Sequence, residues 1–314
     1  MTDSLRRRRR PGAQLLWGLL GTLGLSLPLG ASAESVAITF DDLPLNGTLP
    51  PNTTRTQLVE RVVTILKRQQ VPPVYGFVNA KRLEGIQDGA EALKLWVAAG
   101  ETVGNHTYSH PDLNGESGEL FLSDVYLNEP VLELLSKGDD WRWFRYPFLR
   151  EGDTLGKRRG VRAGLREHGY RVAQVTLDYE DYLWNSPYAR CFAKADAPSV
   201  RWLRSTYLTI AAAYIDSSRE AARLVFGRDI SHVLLLHLGA FSDNILPDVL
   251  ALLQQKGLEL VTLEEAQKDP AYQSDPDAPS RHGGTLLEQW LEARKIKYPA
   301  VPAKPFKELE NVCR

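Results

Sequence analysis

The sequence predicts an α/β fold built on a parallel sheet, and three observations carry that prediction. From residue 36 onward, short β-rich runs alternate with helical patterns about seven times, the order of βα units whose strands close into a barrel or spread into a doubly wound sheet. No Gly-x-Gly-x-x-Gly follows the first run, which argues against a dinucleotide-binding fold. Polar side chains able to do chemistry recur where the apolar runs stop, and in parallel sheets such groups collect at the C-terminal ends of strands.

Residues 36–40, Val-Ala-Ile-Thr-Phe, read as a buried first strand. Asn52 and Thr53 then offer N-caps to a helix with Leu58, Val62, Ile65 and Leu66 on one face. Residues 74–78 form a second strand, backed by a helix over 90–99 that closes at Gly100. A short third strand spans 101–104, and 120–135 is helical. Strands over 143–146, 170–175, 233–236 and 259–263 follow, with helices near 157–168, 199–226 and 246–256 between them. The tail is turn-rich at Asp269-Pro270, Asp275-Pro276 and Ala278-Pro279, has a short amphipathic helix over 285–295, and is proline-punctuated over 298–304. It reads as a packed extension, residues 266–314, on one α/β domain of residues 34–265.

A chain of 314 residues that is 43% apolar and 25% charged, with two cysteines, is neither disordered, collagenous nor a disulfide scaffold. Its net charge of −1 hides an asymmetry. Setting aside arginines 6–10 and Asp3 leaves 33 basic residues against 38 acidic ones, a balance of −5. A net-acidic chain gives no electrostatic reason to bind nucleic acid. The arginines precede an apolar stretch over 15–29 and then Gly30, Ala31, Ser32 and Ala33, the pattern of a secretory signal peptide over residues 1–33 cut after Ala33. The apolar stretch is shorter than the roughly 20 residues that span a bilayer, and no later stretch is apolar enough to span. An exported protein, periplasmic or secreted and without a membrane partner after cleavage, is expected; Sec and twin-arginine export are both open. Outside the cytoplasm Cys191 and Cys313 either form one disulfide or remain two thiols.

Asp41-Asp42 follows the first strand directly, where two charges need partners. His106 and His110 follow the third strand at a spacing of four, which predicts one helical turn carrying both imidazoles on the same face, within reach of a shared metal. Pro111 keeps that turn short. Arg145 ends an aromatic strand and calls for a carboxylate, which Asp178 or Asp181 could supply. His237 closes the apolar run Val233-Leu234-Leu235-Leu236. Five placements at five strand ends suit metal-assisted hydrolysis.

These residues resemble the five motifs of the polysaccharide deacetylases, the NodB-homology family or carbohydrate esterase family four. Thr39-Phe40-Asp41-Asp42 is similar to the first, His106-Thr107-Tyr108-Ser109-His110 to the second, Arg145-Tyr146-Pro147-Phe148 to the third, Asp178-Tyr179-Glu180-Asp181-Tyr182 more loosely to the fourth and Leu235-Leu236-His237 to the fifth. The resemblance implies a distorted (β/α)7 barrel with a short C-terminal extension. It implies that Asp42, His106 and His110 hold a divalent metal, Zn2+ before Co2+, Ni2+ or Mn2+. It makes Asp41 the base that takes a proton from the attacking water, His237 the acid that protonates the departing amine, Arg145 the residue that orients the base and Asp181 the one that tunes the charge network. The Phe148 backbone N–H would meet the oxyanion and Leu235 would line the acetyl pocket. Leu43 stands where the family has Gly, Phe148 where it has Tyr and Tyr182 where it has Trp; Tyr182 would form the sugar-side wall, with Trp184 compensating. The activity implied is removal of N-acetyl groups from an N-acetylglucosamine polysaccharide or oligosaccharide, peptidoglycan or chitin-like. An acetylxylan O-deacetylase, a small-molecule C–N hydrolase and a non-catalytic glycan-binding protein are the alternatives.

Overall fold

A strand that is apolar on both faces needs cover on both, and β1 (Ser35–Asn46) has it, since residues 36–45 are all buried. The structure, a computed structural model, describes residue 2 and residues 34–314 except 137 and 139; the leader expected over 1–33 falls, residue 2 aside, outside the described residues. All strand pairs are parallel. On one side of β1 lie, in order, β2 (Tyr75–Val78), β3 (Thr102–Asn105), β4 (Trp143–Phe144) and β5 (Arg171–Val172). On the other lies β6 (His232–Gly239), while β7 (Glu259–Val261) pairs with the first residues of β1. Beyond β5 the chain turns back so that Leu177 bridges Leu234 of β6, with Leu235 N–H donating to the Leu177 carbonyl at 3.0 Å. This contact joins the two edges and curls the seven strands into the distorted α/β barrel that the resemblance implies.

Helices cover the outside. The first, Arg55–Arg68, buries Leu58, Val59, Val62, Val63 and Leu66. Its cap is Thr54, not Asn52 or Thr53, because Thr54 and Gln57 form a reciprocal capping box. The single helix expected over 120–135 is two, Gly118–Leu127 and Glu129–Ser136. Pro130 has no N–H to continue the ladder, and Asn128 at the junction turns inward, donating to Val78 O at 2.7 Å and accepting from Ala80 N at 3.0 Å. Helices Asn185–Ala193 and Phe306–Asn311 carry no clear sequence signal, being short and interrupted by small or charged residues.

The described residues from 34 to 314 form one compact unit. The tail packs on the barrel through a buried polar cluster in which Gln289 bridges Arg158, at 2.8 Å, and Glu151, at 3.0 Å. Cys191 and Cys313 are joined as a disulfide with Cα atoms 5.1 Å apart. No described helix is long and apolar enough to cross a membrane.

Leu43, where the family has Gly, lies within β1 and not in a loop over the site. It continues β1, fully buried, and fills the space left by Gly76 on β2. A Cβ on Gly76 would collide with the Leu43 side chain and crowd Trp96. Gly76→Ala should therefore destabilise the fold by about 1–3 kcal/mol through overpacking, measured by denaturant unfolding, and Leu43→Ala in the same chain should recover part of that loss.

Candidate metal centre and active site

β1 delivers two adjacent carboxylates to one end of the barrel and the backbone then separates them. Asp41 keeps strand geometry beside its register partner His237 on β6, whereas Asp42 is left-handed, φ 66°. Asp42 points to the imidazoles: its Oδ1 lies 3.5 Å from His110 Nε2 and 3.8 Å from His106 Nε2. Asn46 donates to its other oxygen at 2.6 Å, and the Arg82 guanidinium stands 2.9 Å from Oδ1 without hydrogen-bond alignment.

The predicted helical turn over 106–110 is absent. Thr107 and His110 are both left-handed, and the segment is a loop fixed by polar contacts. Asn105 Oδ1 accepts from Thr107 N at 2.8 Å, Thr107 Oγ1 from His110 N at 3.0 Å, and Asp124 from Ser109 N at 2.8 Å. Pro111 and these side chains compete with helical bonding and win. The two rings still meet edge to face, 4.8 Å between centroids.

Asp42, His106 and His110 offer donor atoms that all lie within 4.8 Å of one another, the one such group among the described residues. They fit a divalent cation on two counts. Asp42 Oδ1 is buried and accepts no hydrogen bond, a cost that a cation would remove. His106 Nδ1 lies 2.8 Å from the Arg145 carbonyl, which fixes that nitrogen as the donor and leaves Nε2 with its lone pair toward the carboxylates, 3.8 Å from both Asp42 Oδ1 and Asp41 Oδ2. Burial pushes both imidazoles down to about 4, so they are neutral donors near pH 7. Burial alone would raise the Asp42 carboxyl, but His237, Arg82 and the two imidazoles bring it down to about 2.

Arg145 finds its carboxylate in Asp41, not in Asp178 or Asp181. Nη1 bonds both Asp41 oxygens, at 3.0 and 3.2 Å, Nη2 donates to Thr39 Oγ1 at 3.1 Å, and Nε to Ala173 O at 2.7 Å. The guanidinium lies 4.5 Å from the centre of the Phe77 ring. Burial raises the Asp41 carboxyl above the usual range, and Arg145 and His237 offset only part of that rise.

Asp181 belongs to His237. One of its oxygens lies 2.7 Å from Nδ1, and the other accepts from the His237 backbone N–H at 2.8 Å. Burial opposes a charged ring, but Asp181, with Asp42 and Asp41 behind it, pushes His237 up to about 9.

These groups open on a cavity of about 710 Å3, within the usual range of ligand sites. Leu235 and Tyr182 line it, Tyr182 standing edge-on to His237 at 5.2 Å. Phe148 lines it as well, half exposed, left-handed like Leu149, and edge-on to His110 at 4.6 Å. Trp184 does not line it: that ring is fully buried against Tyr207, inside the turn that starts at Asp181, and cannot compensate for Tyr182. Sequence reasoning missed a further part of the lining, His282, Gly283, Gly284, Glu288, Glu292 and Lys304, all from the extension. No local pattern marks these residues, because only the tertiary fold brings them to the barrel mouth. Thr39 and Asn46 were also missed, though a Thr inside an apolar buried strand is a readable signal.

Residues 30–173 match the sequence model of the family described as polysaccharide deacetylase. Over 154 residues the chain is 30% identical to a chitin deacetylase of Colletotrichum lindemuthianum, covering 48% of this chain and 54% of that protein. Over 236 residues it is 22% identical to a protein of Arthroderma benhamiae named a probable peptidoglycan-N-acetylglucosamine deacetylase, covering 75% of this chain and 44% of that one. The chain thus spans about half the length of these curated relatives. A crystal structure of a mutant, with restored activity, of a carbohydrate esterase family four pseudoenzyme from Bacillus anthracis superposes with a TM-score of 0.50 at 17% identity, over 75% of this chain and 68% of that one. At that identity the likeness concerns the fold.

Two consequences are measurable. His106→Ala should abolish high-affinity binding of Zn2+ or Co2+ to the apo protein by calorimetry, with the fold retained by circular dichroism. Because both imidazoles are depressed to about 4, a bound metal should stay in place from neutral pH down toward pH 4 and leave as protons compete below it.

Proposed function

The chain is a relative of the polysaccharide deacetylases, and on that premise we propose that it is an exported, metal-dependent N-deacetylase acting on N-acetylglucosamine-containing glycan, peptidoglycan or chitin-like. The observation that carries this reading is the division of the two adjacent carboxylates: Asp42 faces two neutral imidazoles while Asp41 is held on Arg145 beside His237. Binding a glycan would need no such pair of proton-transfer groups. The leader over residues 1–33 would direct export, residues 34–265 would form the catalytic domain and 266–314 its extension.

A divalent cation on Asp42, His106 and His110, Zn2+ by its donor set of one carboxylate and two imidazoles, would polarise the acetyl carbonyl and make a nearby water more acidic. The remaining work falls to the chain. Asp41, ionised and aimed by Arg145, takes a proton from the attacking water as its oxygen adds to the carbonyl carbon. The Phe148 backbone N–H donates to the oxyanion, and Leu235 packs against the acetyl methyl. His237, kept as an imidazolium by Asp181, gives its proton to the nitrogen as the C–N bond breaks, and acetate and the free amine leave. Tyr182 forms the wall for the sugar.

Residues 34–314, loaded with defined metals and given N-acetylglucosamine oligomers, muropeptides and acetylxylan, should release acetate from the first or second class of substrate and not from the third. Asp41→Asn should lose at least about a thousandfold in turnover with metal still bound; full activity in that variant would refute the base assignment. A second prediction concerns pH. His237 is pushed up to about 9 and acts when protonated, so activity should fall as pH rises through its pKa. Asp181→Asn removes the charge that holds the proton, and the alkaline limb of the kcat profile should move to lower pH by more than about one unit.

A further inference from the structure

The last residues of the chain return to one segment, and it is the segment that carries Asp181. Arg190 donates to the carbonyls of Leu309, at 2.8 Å, and Val312, at 3.2 Å. Lys194 reaches the carbonyl of Arg314 at 2.7 Å, and the Cys191–Cys313 disulfide closes the same contact. Eleven positions upstream of Cys191, the Lys304 ammonium bonds the Glu180 carboxylate and lies 4.4 Å from the centre of the Tyr214 ring. The Lys304 side chain is only 6% exposed. A buried ammonium needs such partners.

Glu180 is left-handed, φ 58°, a conformation that is unfavourable for a non-glycine residue and persists only where neighbours over-determine it. Two contacts do so: its N–H donates to Asp178 Oδ1 at 2.7 Å, and its side chain is held by Lys304. Glu180 caps the turn Asp181–Trp184, so its backbone sets where the Asp181 carboxylate begins. Helix Asn185–Ala193, which follows, is held at its far end by the disulfide.

We propose that residues 304–314 clamp the Asp181 segment from both ends, and that Lys304 is a positioning residue: through left-handed Glu180 it holds Asp181 in hydrogen-bond register with His237. The role of His237 as proton donor is taken from the deacetylase reading; the positional claim is about Asp181 and His237 whatever the substrate. Within the same tail Ala271, Leu287 and Leu291 pack on the long helix Ala197–Phe226, whereas Leu309, Val312 and Cys313 pack on the main core beside Cys191.

The test uses the disulfide-intact chain, residues 34–314, as wild type, Lys304→Met, Lys304→Arg, Glu180→Gln and the double variant Lys304→Met/Glu180→Gln. The first readout needs no substrate: the low-field NMR signal of the His237 Nδ1 proton, assigned by its loss in Asp181→Asn, should weaken or move in Lys304→Met and return in Lys304→Arg. An unchanged signal overturns the clamp. The second is kinetic, on one N-acetylglucosamine oligomer. Lys304→Met should lower kcat by about tenfold or more, with KM and metal affinity within about twofold of wild type. Glu180→Gln should do the same, and the double variant should be no worse than either single one. A rise in KM at unchanged kcat would make Lys304 a substrate contact and overturn its positioning role. Wild type that shows the NMR response but releases no acetate from any oligomer would leave the clamp standing and remove the deacetylase reading. If Lys304→Met fails to fold, Glu180→Gln, whose side chain is partly exposed, carries both readouts.

Discussion

Arg145 reaches Asp41 through a core with almost no solvent, the arginine 1% and the aspartate 2% exposed, so neither charge is tolerable without the other. Breaking such a pair by removing one partner costs about 3–5 kcal/mol. Nη2 bonds Thr39 and Nε bonds Ala173, so all three nitrogens of the guanidinium are held. The same residue also sets His106, because its backbone carbonyl takes the Nδ1 of that ring. A single residue at the end of β4 therefore holds the group assigned as base with its side chain and a group assigned as metal ligand with its backbone. This contact holds Asp41, while the left-handed backbone at Asp42 turns the neighbouring carboxylate to the imidazoles.

Across the cavity the charge states of three histidines are pulled apart by their surroundings. His106 and His110 are buried among one another and become neutral, while His237 sits on a dedicated carboxylate and stays charged. One residue type thus takes two opposite charge states. The difference lies in the partner, a carbonyl for His106 and Asp181 for His237.

The parts of this arrangement that the sequence reveals are those where chemistry interrupts a pattern. Asp41, Asp42, Arg145 and His237 each end a run of apolar residues, and a charge at such a place stands out. The parts it hides are set by tertiary geometry. The spacing of His106 and His110 suggests a helical turn, yet Asn105 and Asp124 hold a left-handed loop instead. Trp184 looks like a sugar platform because it is a large aromatic near the site, yet the same property makes it core. The partner of Arg145 lies 104 positions away on β1, nearer carboxylates in the sequence notwithstanding. The wall contributed by the extension has no local signature at all. The amphipathic helix over 285–295 and the two cysteines hinted that the tail packs on the domain, and neither pointed to the cavity.

The central claim is that neighbouring carboxylates have different work, Asp42 on a cation and Asp41 on Arg145. A crystal structure of the Zn2+- or Co2+-loaded protein with anomalous data at the metal edge tests it most directly. The account predicts one anomalous peak bounded by Asp42, His106 and His110, with both Asp41 oxygens still on Arg145. A peak coordinated by Asp41, or a metal bound elsewhere in the cavity, would contradict it.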